Sequence, residues 1–230
     1  MNPDLDFLLA HLARSHVTGG TTSSPPTEEF LRRLAEQLGL HSHDLFLLVG
    51  RPLPEGALDF DRTAGSWVSV LVQHALPLPA ADRERLRARA RAMAAAPRPV
   101  RSTEPPAPLP SCAPGFGPLL VRMLALRNLN RTAAAEVMCL MSDVCKSPST
   151  IAMVRDGVKE LDAELLDGFA AVLGVPATVL AALTGVRPSE GSVAPAPGIV
   201  DVAGLIWEVR HLTEAQVRGL SDMAEEFGRK

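Results

Sequence analysis

PLLVRMLALRNLNRTAAAEVMCLMSDVCKSPSTIAMVRDGVKELDAELLDGFAAVLGVPATVLAALTG, residues 118–185, falls into five short helical segments once its apolar spacing and its punctuation are read together. Leu120, Met123, Leu124 and Leu126 place a first helix over 119–127, and Asn128 to Asn130 break it, because Asn readily takes turn and capping conformations. An Ala-rich second helix spans 131–141, and 142–146 is a turn. Ser147 before Pro148 combines a good N-cap with Pro at the first helical position, which opens a third helix ending at Asp156 and stopped by Gly157. A fourth helix over 165–173 meets an αL-type stop at Gly174, and Pro176 opens a fifth over 177–184 that Gly185 closes.

This order and spacing resembles the Cro/C1 (XRE) family of five-helix DNA-binding domains. ELLDGFAAVLGVPATVLAALTG looks like the family's fourth and fifth helices, and PSTIAMVRDG looks like its third, the recognition helix. The segment between Leu129 and Ile151 is longer than the family pattern, with MSDVC in place of a short Gly-containing turn, and Met153 and Arg155 stand where a basic and an acidic residue often occur. The resemblance implies an all-α fold with a helix-turn-helix in the second half of the chain.

The fourth and fifth segments also have a likeness within the chain itself. EFLRRLAEQLGLHSHDLFLLVG (29–50) lies over ELLDGFAAVLGVPATVLAALTG (164–185) at a constant offset of 135, pairing Leu31 with Leu166, Gly39 with Gly174, Leu45 with Leu180 and Gly50 with Gly185. Upstream, HLARSHVT (11–18) lies over MLALRNLN (123–130) at an offset of 112, which leaves 23 residues of the second copy, its helix-turn-helix, without a counterpart. Downstream, residues 71–90 lie over 205–224 at an offset of 134, pairing Leu78 with Leu212, Ala81 with Ala215 and Leu86 with Leu220. A tandem duplication follows, in which the first copy kept its scaffold helices and lost the reading element.

Helices are expected over 4–15, where Leu5, Leu8, Leu9 and Leu12 form a stripe, over 28–38, and over 43–49 with Ser42 as cap. Two more span 199–210 and 213–227, the latter opened by Thr213 with Gln216 three residues on, a capping-box pattern. The proline-rich stretch PRPVRSTEPPAPLPSCAPGFG (97–117) reads as a semi-rigid linker. The expected organisation is a degenerate helical copy over 1–96, the linker, a helix-turn-helix domain over 118–185 and a C-terminal helical pair over 186–230 suited to oligomerisation.

Composition narrows the function. Apolar residues make up 47% of 230, ample for packed cores, and the formal net charge is −3. Duplex DNA is a dense polyanion, so that balance weighs against a nucleic-acid partner unless a local basic face exists. Cys112, Cys139 and Cys145 are odd in number and lack CxxC spacing, which indicates neither a disulfide framework nor a zinc site and fits a reducing, cytoplasmic setting. Cys139 and Cys145 flank the turn at 142–146, where one reads as a small core residue or, alternatively, as a thiol that senses oxidation. The amino terminus is unlike a secretory signal, and no run approaches eighteen apolar residues, so no membrane association is expected. His41, His43 and Asp44 could ligate a divalent ion, but no fourth ligand is in view, and Asp44 equally suits a helix start. GxSxG, HExxH, phosphate-cradling glycine loops and a Cys/His nucleophile pair are all missing, and so are alternating strand patterns; no enzyme, catalytic residue or cofactor is expected.

The expected function is sequence-specific binding of double-stranded DNA in transcriptional control. Lys146, Ser147, Ser149, Thr150 and Met153 would face a major groove, since hydroxyls and Lys bond base edges or phosphates and Met meets a thymine methyl. Arg131 and Arg155 or Lys159 would lie near phosphates. Arg83, Arg85, Arg87, Arg89 and Arg91 form the most basic stretch, with Arg83, Arg87 and Arg91 on one helix face and Arg85 with Arg89 on another; it reads first as a solvated helix surface and, if DNA is the ligand, as the auxiliary phosphate contact. So few cations require a homodimer on two half-sites, and Trp67, Trp207 and Phe227 are its candidate interface residues when they are not core. The alternative is a non-catalytic adaptor that binds another protein. It differs in needing an exposed apolar patch where DNA needs positive charge around 146–159. A weaker third reading is a small-molecule sensor with a pocket between the copies.

Overall fold

Short helices of seven to sixteen residues are stable only when an apolar face is buried, and here the sequence supplies such faces throughout. The computed structural model describes residues 26–96, 109, 112–191 and 194–229. The helix expected over 4–15 and most of the linker over 97–117 lie outside them. Among the described residues there are eleven α-helices and no strand, so the fold is all-α. None of these helices is long and apolar enough to cross a membrane.

By its contacts the chain divides into Met1–Pro54 and Glu55–Lys230. The first unit holds α1 (Glu28–Leu38) and α2 (Ser42–Leu48). Thr27 caps α1 by accepting from the Phe30 amide at 3.2 Å, and Gly39 ends it at φ 71°. His41, not Ser42, is the N-cap of α2; its amide donates to the Asp44 carboxylate at 3.3 Å, and Ser42 is already helical. Arg51 closes the unit by donating to the Pro26 carbonyl at 2.8 Å.

The second unit begins with a 3₁₀ turn (Ala64–Trp67), α3 (Val68–Ala75) and α4 (Ala80–Ala95). It continues with α5 (Phe116–Ala125), α6 (Arg131–Ser142), α7 (Pro148–Arg155), α8 (Ala163–Leu173), α9 (Ala177–Thr184), α10 (Pro197–Val209) and α11 (Glu214–Gly228). The division after Pro54 differs from the boundary read at 97–117, because α3 and α4 pack with the later helices: α4 along α10 and α3 along α11. Leu71, Leu78, Leu86 and Ala90 are buried, and so are Leu205, Leu212, Leu220 and Ala224, the residues aligned with them at an offset of 134. Each fully buried Leu is worth about 1.5–3 kcal/mol of transfer free energy.

Charge completes this packing. On α4 only Leu86 and Ala90 are buried, and the face carrying Arg83, Arg87 and Arg91 meets acids of α10. Arg83 donates to Asp201 at 3.0 Å, Arg87 to both Glu208 oxygens at 2.9 and 3.3 Å, and Arg91 to Glu208 at 2.8 Å. Gly204 leaves room for this: a Cβ there would stand 2.9 Å from the Arg87 Nη2. Of the five arginines of this basic stretch, Arg83, Arg87 and Arg91 are therefore committed to helix packing, while Arg85 and Arg89 stay exposed.

The segment before α3 acts as a clamp. Asn128, at φ 58°, donates its side-chain amide to the Asp61 carbonyl at 2.7 Å, and Gly65 lies so close to the Asn128 carbonyl that any Cβ would collide with it. The Asp61 carboxylate accepts from the Glu214 amide at 2.8 Å, at the first turn of α11, and from Thr63. Partial burial raises its pKa, but these hydrogen bonds outweigh it and hold the carboxyl below the ordinary 3.8. Trp67 adds an Nε1 hydrogen bond to Glu214 at 3.2 Å.

Because α4 holds to the unit through so few apolar side chains, Leu86→Ala should lower the unfolding free energy by about 2–5 kcal/mol in urea titrations of the full chain. Arg85→Ala, which removes only an exposed pair with Asp82 on the same helix, should stay within about 0.5 kcal/mol of wild type. Equal effects of the two substitutions would contradict this packing.

Candidate nucleic-acid interface

The helix-turn-helix is built from local signals. Asn130 caps α6 by accepting from Thr132 and Ala133 at 2.9 and 3.0 Å, and the helix ends at Asp143, whose φ of 59° turns the chain. Ser147 caps α7 by accepting from the Thr150 amide at 3.2 Å, with Pro148 at the first helical position. Ile151 and Val154 are the buried residues of α7, and α6 packs on both α7 and α8. Asp162 then caps α8 through the Leu165 amide at 2.8 Å, and Gly174 and Gly185 end α8 and α9 at φ 74° and 75°.

Most of the residues read as a DNA face come together here. Ser147, Ser149 and Met153 are exposed on α7, Met153 by 44%, while Thr150 is half-buried. The hydroxyls of Ser147, Ser149 and Thr150 share hydrogen bonds at 2.7 and 3.0 Å, so their first role is to order the start of the helix. Arg131 is exposed at the first position of α6.

The cations at 146–159 all have acidic partners. Lys146 meets Glu164 at 2.6 Å, Arg155 meets both Asp156 oxygens at 2.8 and 2.9 Å, and Lys159 meets Asp162 at 3.0 Å. The hydrogen bond between Arg155 and Asp156 raises the pKa of the guanidinium and lowers that of the carboxylate. Asp162 is pushed up by partial burial but pulled further down by the Leu165 amide and Lys159, so it stays below 3.8. Beside these pairs lie exposed apolar side chains: Val158 at 70% and, on α6, Leu140 at 38%.

Two further features lie beside the turn. Cys139 and Cys145 form a disulfide with Cα atoms 4.3 Å apart, where the odd cysteine count had indicated none, and Cys112 is free. The two lie six positions apart in sequence, and the αL turn at Asp143 folds Cys145 back over the end of α6. The second feature is a cleft of about 630 Å³ between α3, α6 and the start of α7, bordered by Val70, Gln73, Glu136, Leu140, Lys146 and the disulfide.

The candidate interface aromatics have partners inside the chain. Arg218 lies over the Trp67 ring at 4.6 Å, and Arg210 and the buried Arg127 lie over the Trp207 ring at 3.7 and 5.2 Å. Phe227 is half-buried on α11. Among the described residues no group of three or more His, Cys, Asp or Glu is arranged to hold a metal ion, His41, His43 and Asp44 included. No protein-family model matches the chain, and no curated protein or solved structure does.

Asp162 gives this region a pH dependence of defined sign. A carboxylate whose folded pKa is depressed contributes stability that is present at neutral pH and is lost as the pH falls below about 4. Asp162→Asn keeps an N-capping oxygen but cannot titrate. It should therefore lower the melting temperature at pH 7, where the charged form contributes, and flatten its fall on acidification until the two proteins converge. A fall as steep as that of wild type would rule this contribution out.

Proposed function

We propose that this chain is a sequence-specific DNA-binding transcriptional regulator of the cytoplasm that presents α7 to a major groove. The observation that carries the reading is the outward face of α7: capped by Ser147, anchored through Ile151 and Val154, and open at Ser147, Ser149 and Met153. Its resemblance to Cro/C1-type proteins supports the same assignment. Lys146, Arg155 and Lys159 contact phosphates by exchanging their carboxylate partners for the nucleic acid, a low-cost exchange because exposed ion pairs are worth only about 0–1 kcal/mol. Arg131 contributes a further phosphate contact. Binding requires two copies, each engaging one half-site, with Phe227 on α11 as a candidate contact between them. No catalytic step is involved.

We also infer that the chain arose by tandem duplication and that its first copy no longer reads DNA. Supporting this, positions aligned between the α3–α4 and α10–α11 pairs are buried alike.

A specific observation favours a second reading. Acids already neutralise the three cations at 146–159, and Leu140, Met153 and Val158 leave apolar surface exposed around them. That is the surface expected of a protein-binding adaptor on a helix-turn-helix scaffold.

Capture of fragmented genomic DNA from the source organism at low and moderate salt separates the two readings. The regulator reading expects a few discrete sites, weakened by salt and lost in a Lys146→Ala, Arg155→Ala double variant. No enrichment at low salt sinks it and leaves the adaptor.

A further inference from the structure

We propose that Cys139 and Cys145 form a reversible thiol–disulfide exchange site whose reactants are low-molecular-weight thiols and their disulfides, entering through the cleft beside α6. Both cysteines border that cleft. Cys145 is exposed in the turn and Cys139 is half-buried at the end of α6, so Cys145 is the sulfur an incoming reactant meets first. The cleft also supplies the apolar walls of Val70, Leu140 and Pro148 and the polar groups of Gln73 and Lys146, enough to seat a short polar thiol.

Two features make the bond suited to exchange more than to bracing the fold. It joins residues only six positions apart, and the stabilisation a cross-link gives by restricting the unfolded chain is smaller the shorter the loop it closes. The turn also has supports of its own: the Asp143 amide donates to the Cys139 carbonyl at 3.2 Å, and the Cys145 amide to the Asp143 carbonyl at 3.1 Å. The disulfide lies two residues before Ser147, the cap of α7, so its state bears on the geometry between α6 and α7.

The chemistry balances as follows. The Cys145 thiolate attacks one sulfur of a small disulfide, releasing one thiolate that takes up a proton and leaving a mixed disulfide. The Cys139 thiolate then attacks the Cys145 sulfur and releases the second small thiol. The protein loses two protons and two electrons, the small disulfide gains them, and an excess of small thiol runs both steps backwards.

Folded full-length protein carrying Cys112→Ser, so that these two cysteines are the only ones, is equilibrated in glutathione buffers from fully reduced to fully oxidised. It is then trapped with acid, alkylated and weighed, with circular dichroism confirming that it stays folded. The expected result is loss of both alkylatable thiols in one step, reversed by excess reduced glutathione without denaturant. A Cys139→Ser, Cys112→Ser variant should instead stop at one glutathionyl group on Cys145. Thiols that remain alkylatable in every buffer, a disulfide that opens only in urea, or bonds formed between chains instead of within one would each overturn the proposal.

Discussion

Leu86 and Ala90 of α4, Leu71 of α3, Leu205 of α10 and Leu220 of α11 bury apolar surface that no isolated helical pair could hide. Crossing the pairs, α4 on α10 and α3 on α11, solves that problem for both at once. The arginine face of α4 then falls opposite Asp201 and Glu208, so cations that would otherwise be solvated become part of the joint. Asp61 at the start of α11 and Asn128 against Gly65 fix the chain that leads into this arrangement.

The crossed pairs set the surroundings of the helix-turn-helix. Because α3 is held against α11 and also packs on α6, one wall of α6 faces a cleft within the same unit. The turn after α6 opens onto that cleft through Cys145, while α7 keeps its own outward face. The proposed nucleic-acid face and the proposed thiol site are therefore neighbouring surfaces of one short segment, with Lys146 at the border of both. The proposed DNA face is nearly neutral, since each of Lys146, Arg155 and Lys159 has a carboxylate within 3.0 Å. Binding through it would depend on recognition by shape and hydrogen bonding more than on long-range attraction.

What was legible in the sequence was local. Ser147 with Pro148, Thr213 with Gln216, and the glycine stops at 39, 174 and 185 act within a few residues, and their caps and helix ends stand where the spacing places them. The cap of α2 was misplaced by one residue, because His41 with Asp44 satisfies the same geometry as a hydroxyl cap. Contacts between distant segments left no signal. Lys146 and Glu164 are eighteen residues apart, and Arg87 and Glu208 are 121 apart. The disulfide was hidden for a related reason: only the αL turn at Asp143 makes a six-residue spacing bondable. The proline-rich composition of 97–117 suggested a domain boundary, yet the helices on either side of it belong to one packed unit, a property set by tertiary burial and not by the composition of the connection.

The central claim, that α3 and α4 form one unit with the helices after residue 112, is tested most directly by cutting the chain between them. A specific protease site placed within 101–108 would allow the purified protein to be cleaved and passed over a sizing column under native conditions. The crossed packing predicts that the two pieces elute together at the size of the intact chain and separate only in denaturant. Two pieces that elute apart, each still helical, would show that the proline-rich stretch does divide the protein and that the crossed packing is wrong.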